Sequence, residues 1–193
     1  MLKNTLSWLL WPLARITRTL GARLMALWSF ARLSESLGYP LHPSSVVLGT
    51  VAVEGTAHIR IGRNARIYPG VLLETQGAGR IVIGDNVVLS RGVHIVAFDA
   101  VTLGDDCMVG EYASLRDADH KKSQHAMRDS GHDSAAIVLG RNVWIGRAAC
   151  VLKGVHIGAN SIVGANAVVT RDVAASSCAV GVPARAQLLS FPV

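Results

Sequence analysis

The chain has 193 residues, of which 50% are hydrophobic and 17% are charged, and its formal net charge is +6. This length fits one main domain with an extension of about 45 residues. The three cysteines follow no metal-binding spacing, so we expect reduced thiols in a cytosolic protein. No reading module or basic-aromatic strand pattern accompanies the positive charge, and nucleic-acid binding is therefore not expected.

Residues 1–45 are predicted to form a basic, amphipathic helical extension and a linker. Aliphatic residues recur at helical spacing at Leu2, Leu6, Leu9, Leu13, Ile16 and Leu20. We expect two helical segments, broken near Pro12 and loosened at Gly21. The longest uncharged run, residues 4–14, has eleven residues, which is too few to span a bilayer. No convincing small-x-small cleavage site of a signal peptide follows this run.

This extension also concentrates positive charge and tryptophan. It carries five basic residues against one acidic residue, Glu35, so +4 of the net charge lies here. Together with Trp8, Trp11 and Trp28, these charges favour a helix that lies in the membrane interface on anionic lipid, through residues 1–36. The alternatives are that its apolar face docks on the following domain, pairs across an oligomer or contacts a membrane protein.

Residues 46–174 repeat a six-residue pattern. Each unit opens with an aliphatic residue, usually followed by glycine, and has a small or branched residue four positions later. The units begin at Ile61, Ile67, Ile83, Leu89, Leu103, Val109, Leu139, Ile145, Val151, Ile157, Val163 and Val169. Their fifth positions are Ala65, Val71, Val87, Val93, Cys107, Ala113, Val143, Ala149, Val155, Ser161, Ala167 and Val173.

Such a repeat is typical of a solenoid. One unit makes a short strand and a turn, and three units return the chain to its starting face. The aliphatic residues are expected to point inward and stack on their equivalents one coil above. Gly and Asn tolerate the left-handed turn conformations that the corners need. The sequence therefore predicts an all-β domain, a parallel β-helix over residues 46–174.

The repeat is interrupted once, directly after His120, by the polar residues 121–136. We expect this segment to leave the β-helix as a loop, and loops on rigid scaffolds commonly carry function. After Val173 the repeat fades, and residues 175–193 are expected to form a last turn and a cap.

His120 is the candidate catalytic residue. An acceptor hydroxyl is a poor nucleophile at neutral pH, so its attack on a thioester needs a general base with a pKa near 7. Histidine is the side chain whose unperturbed pKa lies in that range. We therefore predict that His120 removes the hydroxyl proton and later returns it to the departing thiolate.

The residues from Val101 to Arg185 resemble the sugar O-acetyltransferases of the hexapeptide-repeat family, which include galactoside, maltose and polysaccharide-modifying enzymes. The resemblance is carried by His120 at a coil end, by the loop that follows it, by NVWIG at 142–146 and by GVPAR at 181–185. It implies a left-handed, triangular β-helix that forms a homotrimer, with acetyl-CoA as the donor and each site lying between neighbouring subunits.

The resemblance also implies roles for single residues. The backbone N–H of Arg147 would bind the oxyanion. The implied cofactor-binding residues are Gly110, Trp144, Arg147, Ala165, Thr170, Arg171 and Arg185, and guanidinium groups suit the phosphates of coenzyme A. The implied acceptor-binding residues are Ser90, Asp99, Asp117 and Asp119. Ser90 stands where galactoside-type enzymes have Asn, and Asp117 or Asp119 could instead orient His120 or cap its turn.

Three other interpretations remain open. A metal enzyme resembling the trimeric carbonic anhydrases would use His94, His120 and His125, but it leaves NVWIG and GVPAR unexplained, and His125 lies in the loop. A non-enzymatic assembly scaffold would not bind acetyl-CoA. Antibiotic-modifying acetyltransferases share the His and NVWIG features and give an alternative class of acceptor.

We therefore predict an acetyl-CoA-dependent O-acetyltransferase without a metal cofactor. Its predicted acceptor is a sugar hydroxyl in the synthesis of exopolysaccharide or another cell-surface glycan. The predicted protein is a cytoplasmic homotrimer, held peripherally at the cytoplasmic face of the inner membrane by its N-terminal extension.

Overall fold

A computed structural model describes residues 2–122 and 126–188. It contains one N-terminal helix, α1 (Leu2–Leu37), and a 3-10 helix (Met127–Asp129). The strands are β1 (Val46–Val47), β2 (Ala52–Gly55), β3 (Ile59–Ile61), β4 (Arg66–Ile67), β5 (Leu72–Thr75), β6 (Arg80–Ile83), β7 (Val88–Leu89), β8 (His94–Ala97), β9 (Ala100–Leu103), β10 (Met108–Val109), β11 (Ser114–Arg116), β12 (Ala118–His120), β13 (His132–Ser134), β14 (Ile137–Leu139), β15 (Trp144–Ile145), β16 (Cys150–Val151), β17 (His156–Ile157), β18 (Ile162–Val163), β19 (Val168–Val169), β20 (Ser177–Val180) and β21 (Arg185–Leu188).

These strands form a solenoid of about seven turns with three faces. Face A has the strand order β1-β4-β7-β10-β15-β18-β20-β21, face B has β2-β5-β8-β11-β16-β19, and face C has β3-β6-β9-β14-β17. Neighbouring strands within a face pair in parallel, except for the antiparallel pair β20 and β21. The predicted parallel β-helix is confirmed. We call the connections between the faces, in chain order, the AB, BC and CA corners.

The predicted repeat positions form the core. All twelve first positions and all twelve fifth positions are at most 7% exposed. Each buried Ile, Leu or Val contributes on the order of 1.5–3 kcal/mol to folding. The polar member of this set, Ser161, is satisfied because its hydroxyl donates to the carbonyl of Ala174 at 2.9 Å. The sequence pattern therefore identified these interior positions, but it missed Leu73, Ile95 and Leu115, which are fully buried on face B.

The CA corner carries a ladder of hydrogen-bonded side chains. Asn64, Asn86 and Asn142 have φ between 55° and 60°, as the sequence predicted for turn positions. The amide of Asn86 donates to Oδ1 of Asp106 at 2.8 Å, and Nε of Arg141 donates to Oδ2 at 2.8 Å. These two donors, the Asn86 amide first, lower the pKa of Asp106 below its usual value. The ladder thus links successive coils from outside the core.

The prediction of two N-terminal helical segments is wrong, because α1 is continuous from Leu2 to Leu37 and contains Pro12 and Gly21. Pro12 and Gly21 weaken a helix, but neither of them provides a stop: Gly21 does not have a left-handed φ. The stop comes at Gly38, whose φ is +71° and whose N–H donates to the carbonyl of Glu35 at 3.0 Å.

Among the side chains of α1 that the structure describes, those that are buried against the solenoid lie in the last turns. Ser29, Leu33 and Leu37 are buried, whereas the stripe of Ile16, Leu20, Leu24 and Leu27 is 54–67% exposed. At 3.6 residues per turn, this stripe lies roughly a third of a turn around the helix from the docked residues. The predicted apolar face is therefore not the face that docks on the protein's own β-helix.

Two leucines on α1 test this asymmetry. We expect Leu33→Ala to lower the free energy of unfolding by about 2–5 kcal/mol, because it leaves a cavity between the helix and the first coil. The matched change Leu20→Ala should alter it by less than about 0.5 kcal/mol, since that side chain is exposed. Denaturant unfolding measures both values, and equal effects would show that the leucine stripe is buried in the folded protein.

Candidate active site

His120 lies on a two-stranded ribbon that leaves the BC corner. Strand β12 pairs antiparallel with β13, so that Ala118, Asp119 and His120 face Ser134, Asp133 and His132. The predicted excursion is therefore present, but its two ends form a hairpin stem and not an irregular loop. His120 is exposed at the outer end of β12.

Asp119 is on the other side of this ribbon from His120, because successive residues of a strand point to opposite faces. Its carboxylate lies 3.6 Å from Nζ of Lys153, and Lys121 lies 3.8 Å from Asp133 on the same side. All four groups are exposed or only partly covered, so these ion pairs contribute little to stability. Asp119 therefore does not orient His120, which was one of its three expected roles.

Asp117 also differs from expectation, because its side chain is 0% exposed. Its two carboxylate oxygens accept the backbone N–H groups of Phe98 at 2.7 Å and of Asp99 at 2.8 Å. Both oxygens are thus committed to a turn in the coil below. Asp117 holds this turn in place and is not available to an acceptor, whereas Asp99 is exposed at the same corner.

The ring of His132 stacks beside that of His120, and Phe98 lies on its other side. The centroids of His120 and His132 are 4.3 Å apart, and those of Phe98 and His132 are 4.4 Å apart. Neither His132 nor Phe98 was among the predicted site residues. The sequence held a signal for His132, a histidine near the end of the interruption, but the strand pairing that places it is visible only in the structure.

The AB corner presents a second set of candidate groups. Within the described residues, the backbone N–H groups of Glu111, Arg147 and Ala165 have no hydrogen-bond acceptor. A Cβ on Gly110 would lie 2.8 Å from the nitrogen of Arg147, so glycine at that position leaves the N–H uncovered. These donors are stacked one coil apart along the solenoid.

The other predicted residues are distributed between the two corners. Ser90 lies at the AB corner, and Thr170 and Arg171 are exposed at the BC corner two coils above the one that carries His120. Arg185 begins β21, after a turn in which the carbonyl of Gly181 accepts the N–H of Val168 at 3.0 Å. One chain therefore does not bring His120 and Arg147 together, because they occupy different corners.

Trp144 lies on the outer side of face A and is 48% exposed. It pairs in register with Met108 below and Ile162 above, and these three line a shallow cavity of about 610 Å³. At the AB corner, the guanidinium of Arg147 lies 5.9 Å from the ring centroid of Tyr112. An exposed aromatic and apolar strip thus borders the open N–H groups.

The metal interpretation finds no support in the described part of the chain. Among residues 2–122 and 126–188, no three His, Cys, Asp or Glu side chains are close enough together to hold a metal ion. His94 lies on face B and His120 on the ribbon, while His125, the third proposed ligand, lies outside the described residues.

Asp117 and Asp119 provide a matched pair of variants. Asp117→Asn should lower the free energy of unfolding by about 1–3 kcal/mol, because an amide NH₂ would face a backbone N–H that the carboxylate now accepts. Asp119→Asn should change it by less than about 1 kcal/mol, since only a surface ion pair is lost. Thermal and denaturant unfolding measure both, and a neutral Asp117→Asn would show that the buried carboxylate does not hold the turn.

Comparisons with known proteins agree with this fold. The repeat described as bacterial transferase hexapeptide (six repeats) matches residues 136–171. A putative lipopolysaccharide biosynthesis O-acetyl transferase of Escherichia coli is 31% identical over 142 residues, which cover 69% of this chain and 72% of that protein. The galactoside O-acetyltransferase of the same organism is 35% identical over 126 residues, which cover 65% of this chain and 61% of that enzyme.

A solved structure is also similar. Perosamine N-acetyltransferase from Caulobacter crescentus, a mutant in complex with CoA and GDP-perosamine, superposes with a TM-score of 0.57 and 26% identity, over 82% of this chain and 66% of that one. The repeat matches residues 136–171, and the 31% identity to the first Escherichia coli protein extends over 72% of that protein's length. The chain therefore belongs to the hexapeptide-repeat acyltransferase family.

Proposed function

We propose that this acyltransferase moves the acetyl group of acetyl-CoA to a hydroxyl group of a sugar in the synthesis of a cell-surface glycan. The observation that carries the proposal is that the chain has an exposed imidazole, His120, at the BC corner, and at the AB corner a column of backbone N–H groups that have no acceptor within the described residues. The names of the two Escherichia coli relatives, a lipopolysaccharide and a galactoside enzyme, support a sugar hydroxyl as the acceptor.

The proposed reaction is a direct transfer. His120 takes the proton of the acceptor hydroxyl while the oxygen forms a bond with the thioester carbonyl carbon. The negative charge on the former carbonyl oxygen is stabilised by the N–H of Arg147. The carbon–sulfur bond then breaks, and His120 returns its proton to the thiolate, which gives the acetyl ester and free coenzyme A.

The donor is proposed to lie along the AB corner. The N–H groups of Arg147 and Ala165 suit the amide carbonyls of the pantetheine arm, and the cationic side chains of Arg171 and Arg185 suit its phosphates. Arg171 is on the BC corner, however, so the full set of contacts requires more than one copy of the chain.

A homotrimer accounts for this separation. If the AB corner of one subunit lies beside the BC corner of the next, the open N–H groups of one subunit meet His120 of its neighbour. The strip of exposed Met108 and Trp144 and half-buried Ile162 offers apolar surface for such a contact. Each trimer would then contain three sites, and an isolated subunit would contain none.

A second candidate acceptor is the amino group of an amino sugar. It is favoured by the similarity to perosamine N-acetyltransferase, whose structure contains a nucleotide-linked amino sugar. An amine needs the same general base and the same oxyanion donor as a hydroxyl. The residues at the site therefore do not distinguish the two acceptors, and an assay with each of them does.

Release of free thiol from acetyl-CoA tests the function. We expect release that depends on a sugar acceptor, and a fall of roughly 10²–10⁴-fold in kcat for His120→Ala and His120→Gln. His58→Ala is the matched control, since His58 is exposed at the BC corner of the first coil. The panel contains neutral sugars, nucleotide-linked sugars, amino sugars and hydroxylated antibiotics. Full activity of both His120 variants would eliminate the proposed base, and no turnover with any acceptor would eliminate the transferase.

We also propose that α1 holds the enzyme at the cytoplasmic face of a membrane. Among the described residues, no helix is both long and apolar enough to cross a bilayer. The leucine stripe of α1 is nevertheless exposed, and Arg15 and Arg18 project from the other side of the helix, with the Arg15 guanidinium 5.5 Å from the ring centroid of Trp11. A helix with an apolar stripe on one side and basic residues and tryptophan on the other fits the surface of anionic lipid.

Vesicle co-sedimentation tests this attachment. Replacement of Ile16, Leu20 and Leu24 together by Gln should weaken binding to vesicles with anionic phospholipid by at least about tenfold, because apolar area no longer enters the lipid. Arg15→Gln with Arg18→Gln should reduce binding to anionic vesicles more than binding to neutral ones. Turnover of a soluble acceptor serves as the control and should not change. If the triple variant bound like the wild type, the stripe would have another partner.

A further inference from the structure

We infer that His132 is a positioning residue, which holds the imidazole of His120 in its working orientation by ring packing. The inference rests on the proposed role of His120 as general base. His132 lies outside the repeat, and none of the sequence patterns identified it.

The strand register brings the two rings together. The N–H of Lys121 donates to the carbonyl of Gly131 at 3.0 Å, and the N–H of Ala135 donates to that of Asp117 at 2.9 Å. Hydrogen-bonded pairs alternate with non-hydrogen-bonded pairs along an antiparallel ladder, so His120 and His132 form a non-hydrogen-bonded pair. In such pairs the side chains are closest, and they interact directly across the strands.

The contact geometry shows a column of rings and not an isolated pair. Phe98 and His132 are 4.4 Å apart with planes at 36°, and His132 and His120 are 4.3 Å apart with planes at 39°. The guanidinium of Arg116 lies 5.8 Å from the ring centroid of Phe98, at the other end of the column. His132 is half-buried between its two neighbours, while His120 is exposed at the end of the column.

The base of this column is fixed inside the protein. Phe98 lies in the turn whose N–H groups bind the buried carboxylate of Asp117. The backbone of Phe98 is therefore held by this partly buried hydrogen bond, and its ring starts from a fixed point beside His132. The order of support runs from Asp117 to Phe98, then to His132, and ends at His120.

His120 needs this support because other support is lacking. Within the described residues, no hydrogen bond is made by its ring, and Asp119 points to the other side of the ribbon. A side chain exposed at a strand end samples several rotamers unless packing restricts them. The ring of His132 covers one face of the imidazole, which limits χ rotation and leaves the edges with Nδ1 and Nε2 open to substrate.

Three variants test the inference on the trimer with acetyl-CoA and its acceptor. His132→Ala removes the ring, and we expect kcat to fall about tenfold while KM for acetyl-CoA changes little, since misplaced catalytic groups slow the chemical step. His132→Phe keeps a ring between Phe98 and His120, and we expect kcat to recover to within about threefold of the wild type. Phe98→Ala leaves the His132 side chain unchanged but removes the ring beside it, and this variant should also lower kcat.

The contrary outcomes are distinct. If His132→Phe were as impaired as His132→Ala, the imidazole would act chemically, and the positioning role would be wrong. The role would be equally wrong if His132→Ala kept the wild-type kcat. Should His132→Ala fail to fold, His132→Leu replaces it, because leucine keeps apolar volume without a flat ring. A fully active His120→Ala would instead overturn the proposed base, whatever the His132 variants showed.

Discussion

Each inward side chain of the solenoid stacks on the equivalent side chain of the next coil, and the other features of the fold depend on this register. On face A the column contains Ile67, Leu89, Val109, Ile145 and Val163, paired strand by strand. A shift of one residue would place the outward set in the core, so burial of the aliphatic residues fixes the register. The corners then recur at the same place in every coil. Residues of different chemistry can consequently be stacked at a corner without disturbing the interior.

The same turn can therefore be closed in one coil and open in another. In the third position of the repeat, Arg63 and Asp85 donate their N–H groups to the carboxylates of Asp85 and Asp105, at the CA corner, and are satisfied. At the AB corner the equivalent residues above are Arg147 and Ala165. A guanidinium only donates and alanine has no polar side-chain atom, so the N–H groups below them keep no partner within the described residues. The identity of one residue per coil thus decides whether the N–H below it is bound by the chain itself or open to a carbonyl oxygen from outside. At the CA corner the N–H groups of Asp105 and Arg141, which lie below Arg141 and Ala159, are likewise without an acceptor within the described residues.

The sequence was sufficient for most of the core and for the point at which the chain leaves the solenoid, because both are properties of the six-residue period. The twelve first and twelve fifth positions are buried as predicted, and the interruption begins at the histidine that ends a strand. The surroundings of that histidine could not be predicted in the same way. Asp119 is adjacent in the chain but on the opposite side of a strand that the period does not describe. Asp117 resembles an exposed polar residue in the sequence, yet it is buried by a turn about twenty positions earlier in the chain.

The prediction of two N-terminal helical segments was wrong for a related reason. Pro12 and Gly21 are local signals that weaken a helix, but a helix ends where a cap or a change of direction satisfies its last carbonyls, which here happens at Gly38.

The continuous helix has a consequence for the whole molecule. Its last turns are fixed to the first coil, and its leucine stripe points in another direction, so the solenoid cannot cover that stripe without undocking Leu33 and Leu37. The apolar stripe therefore belongs to a helix that docks at the first coil, whereas the candidate chemical groups lie in later coils. A surface that binds the stripe would leave His120, three coils further along, free to meet an acceptor and a neighbouring subunit.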